Sequence, residues 1–193
     1  HIIAHNEGGA IGIGAGYYLK TNKIPCIYFQ NSGLGNAVNP LVSMAHKNIY
    51  SIPMLLLIGW RGEPGIKDEP QHIHQGRITP HLLEVMDIPY EIIDSSMDQL
   101  EILNFIEQQI KNCKSFKKPV CILVRKGTFD NYEKKINKFV NSQLELEREE
   151  AVQIATRVCE PNSVIVCTTG MLSRELFEFR ANNKLGHGKD FLC

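Results

Sequence analysis

Short hydrophobic runs alternate along the chain with longer segments in which apolar residues recur at helical spacing. The runs carry few polar interruptions, which is typical of strands in a parallel sheet that is covered on both faces. Segments 54–60 and 120–125 show this pattern most clearly. We therefore predict five strands, at residues 25–30, 54–60, 90–94, 120–125 and 164–168.

The segments between these runs have helical spacing, and we predict helices at residues 7–20, 36–48, 79–86, 97–113 and 145–160. At the start of the fourth helix, Ser95-Ser96 followed by Gln99 resembles a capping box. Strands and helices that alternate at this spacing predict an α/β fold with a doubly wound, mostly parallel sheet. The fourth helix carries an apolar stripe of Leu100, Leu103, Ile106 and Ile110.

The distribution of glycine and charge divides the chain into three parts. Residues 1–130 hold four predicted strands, and eleven of the fifteen glycines lie within the first 76 residues. Residues 131–150 are rich in charge, which is typical of an exposed linker. Residues 151–193 begin a second α/β unit that the sequence does not complete. Because the first residue is not Met and the second unit is unfinished, we expect a fragment that lacks both ends.

Composition excludes some function classes. Lys and Arg number 21, Asp and Glu also number 21, and the formal net charge is zero. A chain without a basic excess is a poor general binder of nucleic acid, because that affinity depends on neutralising phosphates. No apolar run reaches the roughly 18–20 residues of a membrane span. We expect a cytoplasmic protein with no nucleic-acid or membrane partner.

The six cysteines show neither a CxxC pair nor a Cys/His pattern at zinc spacing. Cys26, Cys121, Cys159 and Cys167 lie in apolar runs. A chain of this length and apolar content does not depend on disulfides for its core. We therefore expect reduced, buried cysteines.

The first candidate site is the segment His5–Ala10 and the glycines that follow it at Gly12, Gly14 and Gly16. These glycines fall inside a predicted helix after a strand-like Ile2-Ile3-Ala4, so they do not form the strand–turn–helix of a dinucleotide fingerprint. Glycine at every second helical position instead favours close packing against a neighbouring helix or a bound ring. Glu7 stands where a carboxylate is partly desolvated and suits proton exchange, although the helix dipole alone also favours a glutamate there.

The second candidate is Gln30–Pro40, which follows a predicted strand and opens a helix. Its backbone N–H groups converge on one point among small side chains, as in loops that bind anions. A tight turn that needs only glycine is the alternative. The crowding of Asn31, Ser32, Asn36 and Asn39 favours a binding role.

The third candidate is the polar loop that leaves the strand at 54–60 and extends to Arg77. Ligands in α/β proteins commonly bind at this edge of the sheet. Arg61 and Arg77 are candidates to bind an anion, and His72 or His74 to transfer a proton. Solvation at the surface is the alternative for the arginines. A metal at His72 and His74 is disfavoured because no third ligand has suitable spacing.

These segments and two further ones form five motifs whose order along the chain resembles that of the thiamine-diphosphate-dependent 2-oxoacid decarboxylases. Within that family, the motifs are most similar to those of the members that act on phosphonopyruvate or sulfopyruvate. The resemblance covers nearly the whole chain and is more specific than any single motif. The Ser173–Glu178 segment favours phosphonopyruvate over sulfopyruvate. The motifs are Asn6–Leu19, Gln30–Leu41, Leu56–Gly65, Asp68–His72 and Thr169-Gly170 with Ser173–Glu178.

The resemblance implies a role for each of these segments. Glu7 matches the glutamate that hydrogen-bonds N1′ of the aminopyrimidine and promotes loss of the C2 proton from the thiazolium, which then attacks the keto acid. Thr169 and Gly170 match the contact from a second domain. Residues 1–130 would form the pyrimidine-binding domain and 151–193 the start of the diphosphate-binding domain. The loop that lies near the cofactor consists of Asn31, Ser32, Gly33, Leu34, Gly35 and Asn36.

The implied reaction is decarboxylation of 3-phosphonopyruvate to phosphonoacetaldehyde and CO₂, a carboxy-lyase step of phosphonate biosynthesis. Sulfopyruvate or another 2-oxoacid is the alternative substrate. A non-catalytic subunit and a nucleotide-binding module are the alternatives of another class. Because this neutral chain must meet a multiply charged anion, we expect local cations at the substrate, with Arg61, His72 and Arg77 as candidates.

The family pattern also contains a Gly-Asp-Gly…Asn stretch that binds Mg²⁺ and the cofactor diphosphate, and this sequence lacks it. We therefore expect no metal ligands within the chain. Sites of this family lie between subunits, which implies a homo-oligomer. We expect that these 193 residues alone neither bind thiamine diphosphate at micromolar concentration nor catalyse decarboxylation.

Overall fold

The fold is described from a computed structural model that covers residues 1–130, 146–160, 163–167 and 170–192. The chain divides into two compact units, His1–Tyr132 and Glu133–Cys193. Each unit is described separately below.

The first unit is built on a parallel sheet of four strands. Cys26 pairs with Leu55, and Leu55 pairs in turn with Val120, so three neighbouring strands begin at the same level. The α/β fold with a parallel sheet is therefore confirmed. The strands are β1 (Cys26–Gln30), β2 (Leu55–Gly59), β3 (Tyr90–Ile93) and β4 (Val120–Val124), in the order β1-β2-β4-β3.

Four α-helices flank this sheet. Two shorter turns adjoin the second helix, a 3₁₀ turn at Asn31–Gly33 and a π turn at Leu41–Ala45. The helices are α1 (Glu7–Thr21), α2 (Leu34–Pro40), α3 (Pro70–Val85) and α4 (Gln99–Phe116).

Two of the predicted helices have different bounds in the structure, and the strand-like residues near the start do not form a strand. α3 begins at Pro70, so most of the predicted polar loop is helical. The helix predicted at 36–48 begins at Leu34 as α2, and the π turn replaces its second half after Pro40. A proline removes a backbone donor and disturbs the regular helix at that point. Residues 1–4 do not form a strand.

The cap of α4 also differs from the prediction. Asp98 is its N-cap, with the Glu101 N–H donating to Asp98 Oδ1 and the Asp98 N–H donating to Glu101 Oε2, both at 2.8 Å. Ser96 instead donates to Asp94. In the predicted stripe, Leu100 and Leu103 are exposed, whereas the two isoleucines pack against the core.

Alternate strand residues point to opposite faces of the sheet, and both sets are apolar here. Ile27, Leu56 and Leu123 lie on the face covered by α1, α2 and α3. Leu55 and Ile122 lie on the other face and pack with residues of α4. Because the strands are parallel, their carboxyl ends meet along one edge of the sheet.

The second unit contains two helices and a pair of parallel strands. Arg148 forms a bidentate ion pair with Glu175, which joins the two helices. The helix and strand predicted here are present, whereas the second helix and second strand were not predicted. The predicted linker overlaps residues 131–145, which lie outside the described residues. The elements are α5 (Arg148–Val158), β5 (Ile165–Cys167), α6 (Met171–Asn182) and β6 (Asp190–Leu192).

The described cysteines are free and fall into two groups. Cys113, Cys121 and Cys167 are buried, as expected for this residue type. Burial raises the pKa of the Cys113 thiol to about 11. The expectation of burial was wrong for Cys26 and Cys159, which are exposed. Among the described helices, none is long and apolar enough to cross a membrane.

Candidate functional site

Glu7 lies in the first turn of α1 at the carboxyl edge of the sheet. Asn6 caps this helix from an extended conformation, and its Oδ1 accepts the Gly9 N–H at 2.8 Å. A carboxylate in the first turn is favoured by the helix dipole. The local sequence therefore explains why a glutamate is accepted here, but not what the carboxylate contacts.

The Glu7 carboxylate contacts residues from the segment that follows β1. Asn36 Nδ2 donates to Glu7 Oε2 at 3.0 Å. A Cβ added at Gly33 would lie 2.2 Å from Glu7 Cδ and 2.3 Å from Oε1. The structure thus brings together Glu7, Gly33 and Asn36, three residues that the sequence singled out separately.

Close backbone packing brings α1 to α2 at this point. A Cβ on Gly8 would lie 2.9 Å from the backbone oxygen of Asn36, and one on Gly14 would lie 2.6 Å from Ile27 Cδ1. Gly8 thus makes the close contact with α2, although it is not one of the alternate glycines for which helix packing was predicted. Among those three, Gly14 packs on a side chain of β1, and Gly12 and Gly16 face open space, so the prediction of packing against a neighbouring helix was wrong for this run.

The remainder of the loop after β1 separates into exposed and buried positions. Ser32, Gly35 and Asn36 are exposed, while Gly33 and Leu34 are buried. Of the exposed residues, Asn36 is the one whose side chain contacts the Glu7 carboxylate.

Asn31 has a different position from the rest of the loop. It is buried, its Nδ2 donates to Arg61 O and to Thr79 Oγ1 at 2.9 Å each, and its Oδ1 accepts the Arg61 N–H at 3.0 Å. Gln75 donates to its backbone oxygen. Both amide protons of Asn31 are therefore used inside the protein. Its side chain connects the end of β1 to the loop after β2 and to α3.

Arg61 is held by a carboxylate. Its Nε donates to Asp68 Oδ2 at 2.7 Å, and its Nη2 donates to Asp68 Oδ1. The Gly62 and Glu69 N–H groups also donate to Asp68. The guanidinium and these N–H groups hold the pKa of Asp68 well below its usual range. This guanidinium already binds a carboxylate and braces the loop after β2, so its contact with an anionic substrate stays a prediction that would use its remaining donors.

The other two substrate candidates lie on α3 because that helix begins earlier than predicted. Arg77 Nη2 contacts His74 Nδ1 at 3.0 Å on an exposed face. His72 is half-buried, and its Nδ1 is buried without a hydrogen-bond partner among the described residues. This nitrogen is closed to solvent, so its lack of a partner does not by itself mark His72 as a ligand contact.

Two glycines allow the loop after β2 to dock on α3. Gly62 has φ +69°, and a Cβ there would lie 1.8 Å from His72 O. A Cβ on Gly76 would lie 1.9 Å from Gly62 O. Trp60 Nε1 donates to Gly76 O at 2.9 Å and completes the contact. Trp60, Asp68 and Thr79 were not predicted as partners, since their roles depend on tertiary contacts.

Two cavities of the first unit bear on the candidate residues. The larger, about 660 Å³, is bounded by residues 1–7, α1 and β1 and includes Glu7 at its margin. The smaller, about 470 Å³, lies where β2, β3 and β4 end. Arg125 in this second cavity pairs with Glu63 at 2.8 Å and Asp94 at 3.0 Å, so its charge is balanced.

In the second unit, Gly170 precedes α6 with φ +106°, a conformation that favours glycine. Its backbone oxygen accepts a hydrogen bond from Ser173 Oγ at 2.9 Å. Thr169, the predicted neighbour in this contact, lies outside the described residues. Within the described parts of both units, no group of three or more His, Cys, Asp or Glu could hold a metal ion.

Comparison with known proteins confirms the resemblance inferred from the motifs. Residues 1–83 match the family described as thiamine pyrophosphate enzyme, N-terminal TPP binding domain. This range contains Glu7, Gly33 and Asn36 and ends within α3. The parallel sheet with flanking helices is consistent with such a domain.

Individual relatives are named decarboxylases. Phosphonopyruvate decarboxylase of Streptomyces viridochromogenes is 42% identical over 100 residues, which cover 52% of this chain and 24% of that protein. The Streptomyces hygroscopicus enzyme of the same name is 39% identical over 100 residues, with the same coverage. Sulfopyruvate decarboxylase subunit alpha of Methanococcus maripaludis is 40% identical over 90 residues, or 47% of this chain and 52% of that subunit. The chain therefore spans about a quarter to a half of the length of these relatives.

Proposed function

We propose that this chain supplies the pyrimidine-binding half of a thiamine-diphosphate-dependent 2-oxoacid decarboxylase, with Glu7 as the catalytic carboxylate. The observation that carries the proposal is the fixed Glu7 carboxylate, held by Asn36 and lying on Gly33. These three residues lie in the part of the chain that matches the TPP-binding domain.

The residues present fit an aminopyrimidine ring. Such a ring needs a carboxylate at one ring nitrogen and a shallow surface beside it. Glu7 offers the carboxylate, and the exposed positions Ser32 and Gly35 of the loop after β1 carry no bulky side chain. Thiamine diphosphate, when bound, supplies an electron sink for the carbanion that decarboxylation generates.

Glu7 would hold the proton at N1′ of the aminopyrimidine. A carboxylate at a helix N-terminus is favourable as an anion, so it can accept this hydrogen bond without large rearrangement. The hydrogen bond from Asn36 to Oε2 satisfies one carboxylate oxygen. This arrangement lets Glu7 exchange a proton from a defined position, which general acid–base catalysis requires.

For the substrate we propose 3-phosphonopyruvate, converted to phosphonoacetaldehyde and CO₂. The relatives at 42% and 39% identity are named phosphonopyruvate decarboxylases, and the Ser173–Glu178 motif supports the same choice. Sulfopyruvate is the second candidate, because a sulfopyruvate decarboxylase subunit is 40% identical over a similar span.

The distal anion of this substrate requires a local positive group. Arg61 already binds Asp68, whereas Arg77 lies on an exposed helical face and contacts His74 through one of its N–H donors. We therefore place Arg77 first among the candidates, before Arg61 and His72, because its guanidinium is always charged and keeps donors for a substrate anion.

We further propose that the complete site forms between subunits and includes Mg²⁺. A relative named subunit alpha supports assembly with a second polypeptide or a second copy. In this proposal the Mg²⁺ ligands come from elsewhere in the assembly, since the Gly-Asp-Gly…Asn stretch of the family pattern is not found in this sequence. Gly170 and Thr169 would contact the cofactor that is bound by the first unit of another subunit.

The test uses the full-length protein that contains this sequence, with thiamine diphosphate and MgCl₂. CO₂ release is measured with phosphonopyruvate, sulfopyruvate and pyruvate, and a sample without cofactor serves as control. We expect cofactor-dependent turnover with kcat/KM at least about tenfold higher for phosphonopyruvate than for the other two acids. A preference for sulfopyruvate would select the second candidate, and no turnover of any acid would favour a non-catalytic subunit.

A further inference from the structure

We propose that Gly33 and Asn36 are positioning residues that fix the orientation of the Glu7 carboxylate, rather than groups that contact the cofactor. Together they form what we call the carboxylate cradle. This inference rests on the proposed function of Glu7. It assigns the loop after β1 a task that the sequence alone did not indicate.

The first half of the cradle is the space at Gly33. This residue precedes α2 with φ −86° and ψ −6°, a conformation open to any L residue. Backbone geometry therefore does not require glycine at this position. The lack of room for a side chain does require it, because a Cβ at Gly33 would lie 2.2 Å from Glu7 Cδ. A methyl group at this position must displace the carboxylate or separate α1 from α2.

The second half of the cradle is the amide of Asn36. Its Nδ2 donates to Glu7 Oε2 at 3.0 Å, and hydrogen bonds to an ionised acceptor are stronger than neutral ones. The backbone of Asn36 is fixed as well, because its oxygen lies against Gly8 with no room for a side chain. The donor therefore approaches Glu7 from a rigid contact between two helices.

Fixing this carboxylate has a direct chemical benefit. A glutamate side chain has several rotatable bonds, and its loss of freedom costs free energy whenever a ligand must order it. The cradle orders Glu7 before any ligand binds. Misplacement of a catalytic group by about 1 Å can cost on the order of a hundredfold in rate.

An ordinary packing contact between α1 and α2 is the competing explanation, and a double-mutant cycle in the absence of cofactor separates the two. The urea midpoint is measured for the full-length protein and for Gly33→Ala, Glu7→Ala and the double variant. We expect Gly33→Ala to lower the midpoint and Glu7→Ala to remove most of that loss, because the methyl group then has space. Gly35→Ala is the matched control, since a Cβ there meets nothing within 4 Å.

A second set of measurements tests positioning in the presence of cofactor. We expect Gly33→Ala and Asn36→Ala to lower kcat at least about tenfold while KM changes less than about threefold. Deuterium exchange at C2 of bound thiamine diphosphate should slow by a similar factor. Asn36→Asp should be more damaging than Asn36→Ala, because it replaces a donor with a second carboxylate beside Glu7.

Gly12→Ala is the activity control, because this α1 glycine faces open space and has no assigned role at the site. The cradle is overturned if Gly33→Ala costs the same midpoint shift with and without Glu7. It is also overturned if both cradle variants keep kcat and C2 exchange within threefold of an active native enzyme. An inactive native enzyme would contradict the proposed function instead, while the cycle without cofactor would still decide whether the cradle exists.

Discussion

A single buried asparagine connects three segments behind the candidate site. The Asn31 side chain forms hydrogen bonds with Arg61 and Thr79, and its backbone oxygen accepts a hydrogen bond from Gln75 Nε2. An asparagine with both amide protons and its oxygen satisfied can be buried at low cost, whereas its partners lose these bonds if it is removed. The loop containing Gly33 and Asn36 thus depends on Asn31 for its position.

Replacement of Asn31 by alanine should therefore destabilise the protein. We expect the free energy of unfolding to fall by about 2–4 kcal/mol, because several buried polar groups would lose their partners. Chemical denaturation provides the measurement. Ser32→Ala, at the exposed next residue, should stay within about 0.5 kcal/mol of the native protein. Equal effects of the two substitutions would show that Asn31 does not connect these loops.

The pair of Arg61 and Asp68 makes a second prediction at the residue scale. Because each side chain binds the other, Arg61→Ala and Asp68→Ala should both reduce kcat/KM and stability, and Asp68→Ala should reduce stability more because Asp68 also accepts the Gly62 and Glu69 N–H groups. The double variant should be little worse than Asp68→Ala alone, since the shared contact can be lost only once. Lys20→Ala, in the exposed last turn of α1, is the control. If Arg61 instead binds substrate, Arg61→Ala will impair kcat/KM far more than Asp68→Ala.

The sequence identified several of these residues individually but did not predict how they pair. Glu7 was predictable because a carboxylate between an apolar segment and a glycine-rich helix is unusual. Its contact with Asn36 was not, since 29 positions separate the two residues and only the packing of α1 on α2 joins them. Arg61 was recognised as a cation, but its neutralisation by Asp68 depends on the conformation of the intervening loop.

At the scale of elements, α3 is the helix whose length the sequence pattern predicted least well. Its first turns carry Pro70, Gln71, His72 and His74, a polar composition that resembles a loop. Pro70 is nevertheless favourable at the first position of a helix, where no N–H bond is lost. Tertiary contacts with the loop after β2 stabilise this part of the helix, so local hydrophobicity underestimated its length.

The docking of α3 on that loop should be sensitive to a single methyl group. Gly76→Ala places a Cβ 1.9 Å from Gly62 O, and neither backbone can move freely. We expect a loss of at least about 2 kcal/mol in the free energy of unfolding, measured by urea denaturation. Gly16→Ala on α1 is the matched control, because its Cβ would face open space. Alanine there should be neutral or stabilise by up to about 1 kcal/mol.

The strands were the most predictable elements. Each of the four strands in the first unit lies within the segment predicted for it, because buried parallel strands leave nearly unbroken apolar runs. Their order in the sheet does not follow from those runs. It depends on long-range pairing, here of β2 with β4 and of β4 with β3.

At the scale of the whole molecule, a net charge of zero conceals local ion-pair clusters. Asp87, in the turn after α3, lies 3.0 Å from Lys47 Nζ and 2.9 Å from Lys118 Nζ. These three residues join turns at the end of the sheet opposite to Glu7. The two lysines lower the pKa of Asp87 from its ordinary value of 3.8 to about 2.

Acid should therefore weaken the fold through Asp87. Because its pKa is lower in the folded state, the stabilisation is complete above about pH 4 and is lost as the pH falls toward 2. The effect should be modest, since the Asp87 side chain is 52% exposed. Thermal unfolding between pH 2 and 6 provides the measurement. Asp87→Asn, which tolerates the φ of +55° here, should have a lower Tm at neutral pH and a smaller loss on acidification. An unchanged acid profile in this variant would exclude Asp87 as a contributor.

The measurement that tests the central claim most directly is the rate of deuterium exchange at C2 of thiamine diphosphate bound to the full-length protein. Glu7→Gln keeps the shape of the side chain but removes the carboxylate that would hold the N1′ proton. We expect the native protein to accelerate exchange over free cofactor and Glu7→Gln to lower the rate at least about a hundredfold, with cofactor still bound. Exchange within threefold of the native rate in Glu7→Gln would contradict the assignment of Glu7 as the catalytic carboxylate.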